Sequence, residues 1–254
     1  MKKSNIKYKL ISLLVFLGLL GIWQLLADSP RIAFLFGSPI DIFQSLVANT
    51  LNGLLPQSVA ITGFESIMGF VVGIVFGTLI GFLLWYSLKL AFIFKPYILV
   101  IGAIPVFAFA PMIIIWFGIG ITMKIALSAI SVFLVALVQS YEGAQSIDEE
   151  EYRLLKIYGA TRFDMLKKVI FPSSLSWVLA SMRLNIGFAI LGAYVGEFIS
   201  ANQGLGFFMI RSGSLYDIPS VLAGGVYLIL LALFLNYLVN LIGKNKLKVI
   251  EFFS

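Results

Sequence analysis

Long runs of apolar residues, separated by short polar stretches, dominate this chain of 254 residues. A helix needs about 20 mostly apolar residues to cross the hydrocarbon core of a bilayer. Runs of this kind predict six membrane-spanning helices, at Leu10–Ala27, Val59–Leu84, Pro96–Phe117, Met123–Tyr141, Ser174–Phe198 and Pro219–Ile242. The pattern therefore predicts an all-α integral membrane fold, with residues 1–9 as an N-terminal tail and residues 10–254 as one transmembrane domain.

The first apolar run follows basic residues, as the apolar core of a secretory signal does. Such a core usually has about 7–15 residues and is followed by an Ala-x-Ala cleavage site. Leu10–Ala27 is longer, and no such site comes after it. We therefore expect an uncleaved anchor.

Lysine and arginine are distributed unevenly among the polar stretches. In the predicted topology one side of the membrane carries Lys2, Lys3, Lys7, Lys9, Lys89, Lys95, Arg153, Lys156, Arg162, Lys167, Lys168, Lys244, Lys246 and Lys248. The other side carries only Arg31, Lys124 and Arg211. Because positive charge stays on the cytoplasmic side during insertion, both termini are predicted to be cytoplasmic. The formal net charge of +6 is then a topology signal and does not indicate nucleic-acid binding.

The composition agrees with a membrane protein and excludes several kinds of chemistry. Hydrophobic residues make up 60% of the chain and charged residues 12%, with a mean hydropathy of +1.03. The absence of histidine and cysteine excludes the usual zinc sites and nucleophilic catalysis of the Ser-His or Cys-His type. No phosphate-binding G-x-x-x-x-G-K-[ST] loop occurs either. We expect this chain to bind no cofactor and no metal, so any ATP it depends on must be hydrolysed by another polypeptide.

One polar stretch differs from the rest. Residues 149–172, here called the charged loop, hold nine of the thirty charged residues. Its first part predicts a short helix with acids at its start and Arg153 and Lys156 later, the order that complements a helix dipole. Gly159 then offers the left-handed cap that other residues adopt poorly.

A second helix start follows the glycine. Thr161 and Asp164 form a Thr-x-x-Asp capping box. Phe163, Leu166 and Ile170 follow at helical spacing, and Pro172 is predicted to end this helix near Phe171. The charged loop is thus predicted to be two short amphipathic helices joined by a tight turn. Such a unit can lie on lipid headgroups, pack on its own membrane helices, or dock into a groove of a cytosolic partner.

The spacing favours docking, because the charged loop resembles the EAA loop of ABC importer permeases. That pattern runs Glu-Ala-Ala, three residues, Gly, nine residues and then Ile-x-Leu-Pro. Here Gly159 is followed by nine residues and then by Val169-Ile170-Phe171-Pro172. Further resemblance, closest to the nitrate, sulfonate and taurine branch, lies in GSPIDIFQSL (37–46), AIPVFAFAPMIIIWFGIG (103–120), SMRLNIGFAILGAYVGEF (181–198) and GLG (204–206).

The first half of the motif departs from the family pattern. Arg153 stands six residues before Gly159, where the family has its Glu, and Leu154 and Leu155 replace the two alanines. We therefore expect the partner groove that faces Arg153 to carry an acidic group or to lack the usual basic one.

The resemblance implies a permease subunit of an importer in a bacterial-type inner membrane, with a coupling helix in loop 142–173. Its implied partners are a dimer of cytosolic ABC ATPases, which bind the ATP and Mg, an extracytoplasmic substrate-binding protein, a second copy of this chain and the lipid bilayer. The implied solute is a small anion such as nitrate, taurine or an alkanesulfonate, or a vitamin precursor. The residues expected to dock the ATPase are Arg153, Leu154, Gly159, Ala160, Phe163, Leu166 and Pro172.

Within the apolar segments, glycine recurs every four residues at Gly69, Gly73, Gly77 and Gly81. Small residues at this spacing let two helices approach closely. The sequence leaves open whether the partner helix belongs to the same subunit or whether this face is a dimer contact or a sliding surface.

Prolines and ionisable residues mark the candidate pathway. Pro105 and Pro111 interrupt the third predicted span, either as a kinked pathway helix or as a packing kink. Glu65, Arg183 and Glu197 are costly at membrane depth and should face protein or water. Because Arg183 and Glu197 fall where the resembled family also has Arg and Glu, they join the two prolines as pathway or gating residues. A role in packing alone is the alternative.

Two other functions compete with an importer subunit. A secondary transporter or channel without an ATPase partner should show internal repeats and several buried charges in each half, and no convincing repeat is present. A membrane enzyme would need a constellation of carboxylates or serines, which the sequence does not show. Neither requires the spacing from Gly159 to Pro172.

Overall fold

The computed structural model describes residues 2–103, 105–146, 149–200 and 202–253. Residues 147 and 148, which belong to the predicted loop 142–173, lie outside the described residues. So do residue 1 of the predicted tail and residue 254, the last residue of the predicted domain. The described helices are α1 (Lys2–Leu26), α2 (Pro30–Phe36), α3 (Pro39–Leu51), α4 (Leu54–Tyr86), α5 (Leu88–Ala103), a 3-10 turn (Val106–Phe109), α6 (Ala110–Phe117), α7 (Ile121–Gln145), α8 (Glu149–Ile157), α9 (Arg162–Met165), a π turn (Leu166–Ile170), α10 (Phe171–Ser200), α11 (Leu205–Ser214) and α12 (Ile218–Phe253).

The all-α membrane fold is confirmed. Among the described residues, five stretches are long and apolar enough to cross a membrane: Lys7–Leu26, Leu54–Tyr86, Ile121–Gln145, Ser176–Ile199 and Ile218–Leu241. The pair α2 and α3, bent by 46°, would make a sixth if it forms one span.

The third predicted span, Pro96–Phe117, is wrong as a single helix. The chain there forms α5, a break at Pro105, the 3-10 turn and then α6. Pro105 has no N–H to donate and adopts an extended conformation with ψ of 91°, so the helix cannot continue through it. Pro111 lies in the first turn of α6, where the missing N–H breaks no bond. Pro96 is tolerated inside α5.

The broken chain still runs along the whole of α7. Ile98 of α5 packs in one apolar cluster with Tyr141, near the end of α7. Ile113 of α6 packs in another cluster with Met123, near the start of α7. Together α5 and α6 therefore cover the distance that one span would cover, in the direction opposite to α7.

The centre of the molecule is α7, which packs between α4 and α10. The glycine face of α4 lies directly against it: a Cβ built on Gly73 would be 2.6 Å from the carbonyl oxygen of Ala129, and one on Gly77 would be 2.6 Å from that of Phe133. Gly69 and Gly81 make equally close approaches to the same helix. The partner of this glycine face is thus a helix of the same chain, and the stripe is not free for a dimer contact.

In the charged loop the capping signals are borne out. Gly159 has φ of +79°, and Ala160 N–H donates to the carbonyl of Leu155 at 3.1 Å. This left-handed glycine closes α8. Next, the Thr161 hydroxyl accepts from the Asp164 N–H at 3.1 Å, and the Asp164 carboxylate accepts from the Thr161 N–H at 3.2 Å.

The predicted helix end near Phe171 is wrong. The helix that starts at Arg162 passes through the π turn directly into α10. Within the π turn, Phe171 N–H donates to the carbonyl of Leu166, one residue further back than in an α-helix. The wider turn accommodates Pro172, whose ring would clash with the preceding carbonyl in a regular α-helix and which has no N–H to donate.

Candidate functional site

The charged loop presents an apolar surface to solvent. Exposed fractions are 55% for Leu154, 84% for Ile157, 81% for Tyr158 and 60% for Phe163. These four side chains, here called the loop face, flank the Gly159 turn. Large apolar groups this exposed outside the membrane-spanning segments are typical of a protein-binding surface.

Other predicted docking residues lie elsewhere in the loop. Leu166 packs against the molecule's own core, beside Phe82 and Ile170, so its side chain is half-buried. Ala160 lines a cavity of about 280 Å³ between the two short helices. Arg153 is exposed on α8, and Pro172 is half-buried in the first turn of α10.

Sequence reasoning missed Ile157 and Tyr158, which are the most exposed of the four.

A hydrogen bond between described residues attaches the charged loop to the membrane helices. The Arg162 guanidinium donates to the carbonyl of Tyr86 at 2.7 Å, which joins the loop to the last turn of α4. A cation there also complements the negative end of the helix dipole. Within the loop, hydrogen bonds from the hydroxyl and then the backbone N–H of Thr161 hold the pKa of Asp164 below its ordinary value. The carboxylate of the capping box is thus ionised near neutral pH.

A cavity of about 420 Å³ lies beside the helix break at Pro105. Its wall is formed by the 3-10 turn, one face of α7 and a side chain of α10. The lining residues are Pro105, Val106, Phe107, Ser131, Leu134, Val135, Val138, Gln139, Glu142 and Phe188. Of the four predicted pathway residues, only Pro105 is among them.

Arg183 and Glu197 are not brought together. They lie 14 residues apart on α10, which is about 21 Å at 1.5 Å per residue. Arg183 is exposed, although it lies within the membrane-spanning stretch Ser176–Ile199. An exposed charge at that depth requires water or a partner protein beside it, because lipid tails cannot solvate it. Pro111 is also exposed, on α6.

Glu197 is buried and holds the turn that precedes α11. Its Oε1 accepts from the Thr62 hydroxyl at 2.7 Å, and its Oε2 accepts from the Gly206 N–H at 2.6 Å. The Leu205 N–H donates to Thr62 Oγ1 at 2.9 Å. Gly204 has a φ of +104° and no Cβ, so its backbone passes close to the Glu197 carboxylate. A Cβ at this position would collide with that carboxylate. Three elements, α4, α10 and α11, are thereby joined through one carboxylate.

A buried ion pair lies next to this carboxylate. Lys124 Nζ donates to Glu65 Oε1 at 2.8 Å, and both residues are buried. Within the part of the chain that the structure describes, Glu65 Oε2 has no hydrogen-bond partner. The group of Thr62, Glu65, Lys124 and Glu197, here called the polar cluster, sits at the end of the bundle opposite the charged loop, since Glu65 and Tyr86 are separated by about 30 Å of α4.

From sequence, Lys124 was counted on the side of the membrane opposite the charged loop and was given no role, and the structure buries it in the first turns of α7. Thr62 was not singled out from sequence at all. A signal for Lys124 existed, because Glu65 lies in an apolar helix and needs a cation, and Lys124 is predicted at the same side of the membrane.

Comparison with known proteins places these features in context. A family model described as binding-protein-dependent transport system inner membrane component matches residues 73–248. The formylaminopyrimidine transport permease protein ThiX of Halalkalibacterium halodurans is 30% identical over 241 residues, which cover 94% of this chain and 92% of that protein. The taurine transport system permease protein TauC of Escherichia coli is 27% identical over 224 residues, 86% of this chain and 82% of that one.

Among solved structures, an inward-facing form of the MetNI methionine ABC transporter matches with a TM-score of 0.65. The match covers 79% of this chain and 98% of that one at 19% sequence identity, so it bears on the fold alone.

Proposed function

The chain belongs to the family of binding-protein-dependent transport system inner membrane components, and from this premise we propose that its charged loop is the surface on which a cytosolic ABC ATPase docks. The protein is a permease subunit of an ATP-driven importer and not itself an enzyme. ATP and Mg are bound by the partner ATPase.

The observation that carries the docking proposal is the loop face. Leu154, Ile157, Tyr158 and Phe163 are exposed together on short helices whose ends are fixed by Gly159 and a capping box. Burial of each large apolar side chain in a partner groove would contribute about 1.5–3 kcal/mol. The surrounding charges, including Arg153, set the register and the choice of partner more than the affinity.

The connection from the loop to the membrane supports a role in coupling. From Arg162 the backbone continues without interruption through the π turn into α10. Arg162 also attaches the loop to the end of α4. A displacement of the loop by the ATPase would therefore reach two central helices through a stiff path.

We further propose that both termini are cytoplasmic, which the lysine and arginine count supports, and that two copies of this chain form the complete permease. An extracytoplasmic binding protein delivers the solute to the opposite end. The solute is either a small anion such as a sulfonate, taurine or nitrate, or a vitamin precursor such as the formylaminopyrimidine in the name of the relative ThiX.

Pathway and gating roles remain proposals for Pro105, Pro111, Arg183 and Glu197. Pro105 opens the helix beside a cavity, and Arg183 is a charge at membrane depth that needs water or a partner. Pro111 begins the helix that follows the break. Glu197 is held in the polar cluster, at the end of the bundle opposite the charged loop. A role in a gate at that end suits it better than a role in the pathway wall.

The docking proposal is tested by co-purification of a tagged permease with the ATPase from its native membrane. Ile157→Asp should lose the ATPase, because a charge enters the apolar contact. The matched control is Leu215→Asp, an exposed leucine in the turn after α11, which should retain it. Equal recovery of the ATPase with both variants would refute docking at the loop face.

A further inference from the structure

The cavity beside Pro105 lies where the third span is broken. Helical hydrogen bonding is interrupted between α5 and α6, at membrane depth. Non-helical backbone at this depth is found where it is buried in protein or lines a water-filled space, because lipid offers no hydrogen bonds. The break and the cavity of about 420 Å³ occur together, so the cavity is suited to hold a polar solute or water.

One face of α7 supplies most of the wall. Ser131, Val135, Val138 and Glu142 are spaced by four, three and four residues and so share a helix face, with Gln139 beside them. The Ser131 hydroxyl donates to the carbonyl of Leu127 at 2.8 Å, which leaves its oxygen able to accept.

Two aromatic rings complete the wall, beside the aliphatic side chains of Pro105, Val106 and Leu134. Phe107 from the 3-10 turn and Phe188 from α10 line the same cavity. Rings of this kind favour stacked or edge-to-face contact with a planar solute. A volume of this size is within the range of about 300–1,000 Å³ that is typical of small-molecule sites.

The charge of the lining decides between the solute classes. Its polar groups are a hydroxyl, the Gln139 amide and the Glu142 carboxylate, and no lysine or arginine occurs among the described lining residues. An anion placed there would lose hydration without gaining a cation and would meet a carboxylate. Arg183 is about 7.5 Å along α10 from Phe188 and does not line the cavity.

We propose that this cavity binds an uncharged planar heterocycle, with Phe107 and Phe188 against the ring and Gln139 at its polar edge, and that a sulfonate is excluded. This inference rests on the proposed import function and narrows its solute class. Glu142 disfavours anions and tolerates a weakly basic ring.

The experiment uses the purified complex of permease and ATPase without the binding protein, because the binding protein carries its own specificity. Equilibrium dialysis measures binding of a radiolabelled 4-aminopyrimidine and of radiolabelled taurine. We expect the aminopyrimidine to bind and taurine not to bind. Phe188→Ala should weaken aminopyrimidine binding about tenfold, whereas Phe198→Ala, an exposed phenylalanine of the same helix outside the cavity, should leave it unchanged.

Other outcomes overturn the proposal. If the wild-type complex binds taurine and the Arg183→Gln complex does not, the pathway carries an anion. If neither probe binds, or if the two phenylalanine variants have equal effects, the solute does not bind in this cavity. Co-purification of the ATPase, recorded in the same preparation, shows separately whether the import function stands.

Discussion

Glu197 Oε2 accepts a hydrogen bond of 2.6 Å from the backbone N–H of Gly206, across the turn between α10 and α11. The same carboxylate reaches Thr62 of α4 through its other oxygen. The start of α11 is therefore fixed by a side chain of the helix before it. Because α10 continues into the charged loop at its other end, one helix connects the proposed ATPase contact with the opposite end of the bundle.

Removal of this carboxylate should destabilise the turn before α11. In Glu197→Ala the buried N–H of Gly206 loses its acceptor, at a cost of about 1–3 kcal/mol for an unsatisfied group. The Thr62 hydroxyl loses its bond to Glu197 and keeps the longer one to the Ser58 carbonyl, at 3.1 Å. We expect a lower midpoint of thermal unfolding in detergent, measured by the loss of the monodisperse peak in size-exclusion chromatography. Glu197→Gln keeps one acceptor oxygen and should lose less. Equal midpoints for wild type and Glu197→Ala would contradict the role assigned to this carboxylate.

The pair of Lys124 and Glu65 should behave as a coupled unit. Lys124→Met leaves a buried carboxylate without its cation, which costs about 3–5 kcal/mol. The double variant Lys124→Met with Glu65→Leu removes both charges and should recover much of the stability. A double-mutant cycle of thermal unfolding measures the coupling, and additive losses would show that the two charges do not depend on each other.

Close packing of α4 on α7 should make Gly73 intolerant of any side chain. A Cβ at Gly73 would lie 2.6 Å from backbone oxygen and side-chain carbon of α7, so Gly73→Ala must push the helices apart. We expect a loss of about 1–3 kcal/mol, as for overpacked cores. The control is Gly187→Ala, since a Cβ there meets nothing within 4 Å. Folded yield and unfolding temperature measure both, and a harmless Gly73→Ala would refute the packing.

The turn at Gly159 should depend on backbone conformation alone. Its φ is +79°, and a Cβ at this position would have no atom within 4 Å, so the Gly159→Ala side chain clashes with no neighbouring residue. The left-handed conformation itself costs a non-glycine residue about 1–2 kcal/mol. We expect reduced ATPase recovery on co-purification with unchanged membrane insertion. Recovery at the wild-type level would mean that the turn geometry is not needed for docking.

Reversal of charge at Arg153 tests the departure from the family motif. If the ATPase groove is acidic or lacks the usual basic group, Arg153→Glu should weaken assembly with the chain's own ATPase, most clearly at low salt. Arg211→Glu, an exposed arginine near the end of α11, serves as the matched control and should not weaken it. Unchanged co-purification and transport in Arg153→Glu would exclude this explanation.

Local signals account for what could be predicted. Hydropathy located the long spans because burial in lipid requires apolar residues along an entire helix. The Gly159 turn and the Thr161 box were predicted because caps depend on neighbouring residues only. The end assigned at Pro172 was wrong because the π turn, a response of the backbone to its surroundings, has no comparable sequence signal.

The sequence by itself determined the membrane class, the topology expected from its basic residues and the presence of a capped, charged loop. Only the tertiary structure decided that the glycine stripe faces α7, that Lys124 is buried on Glu65, that Glu197 holds the start of α11, and that the third span breaks beside a cavity. These contacts join residues that are distant along the chain, and within lipid, which gives no hydrophobic drive between helices, steric fit and polar pairing select them.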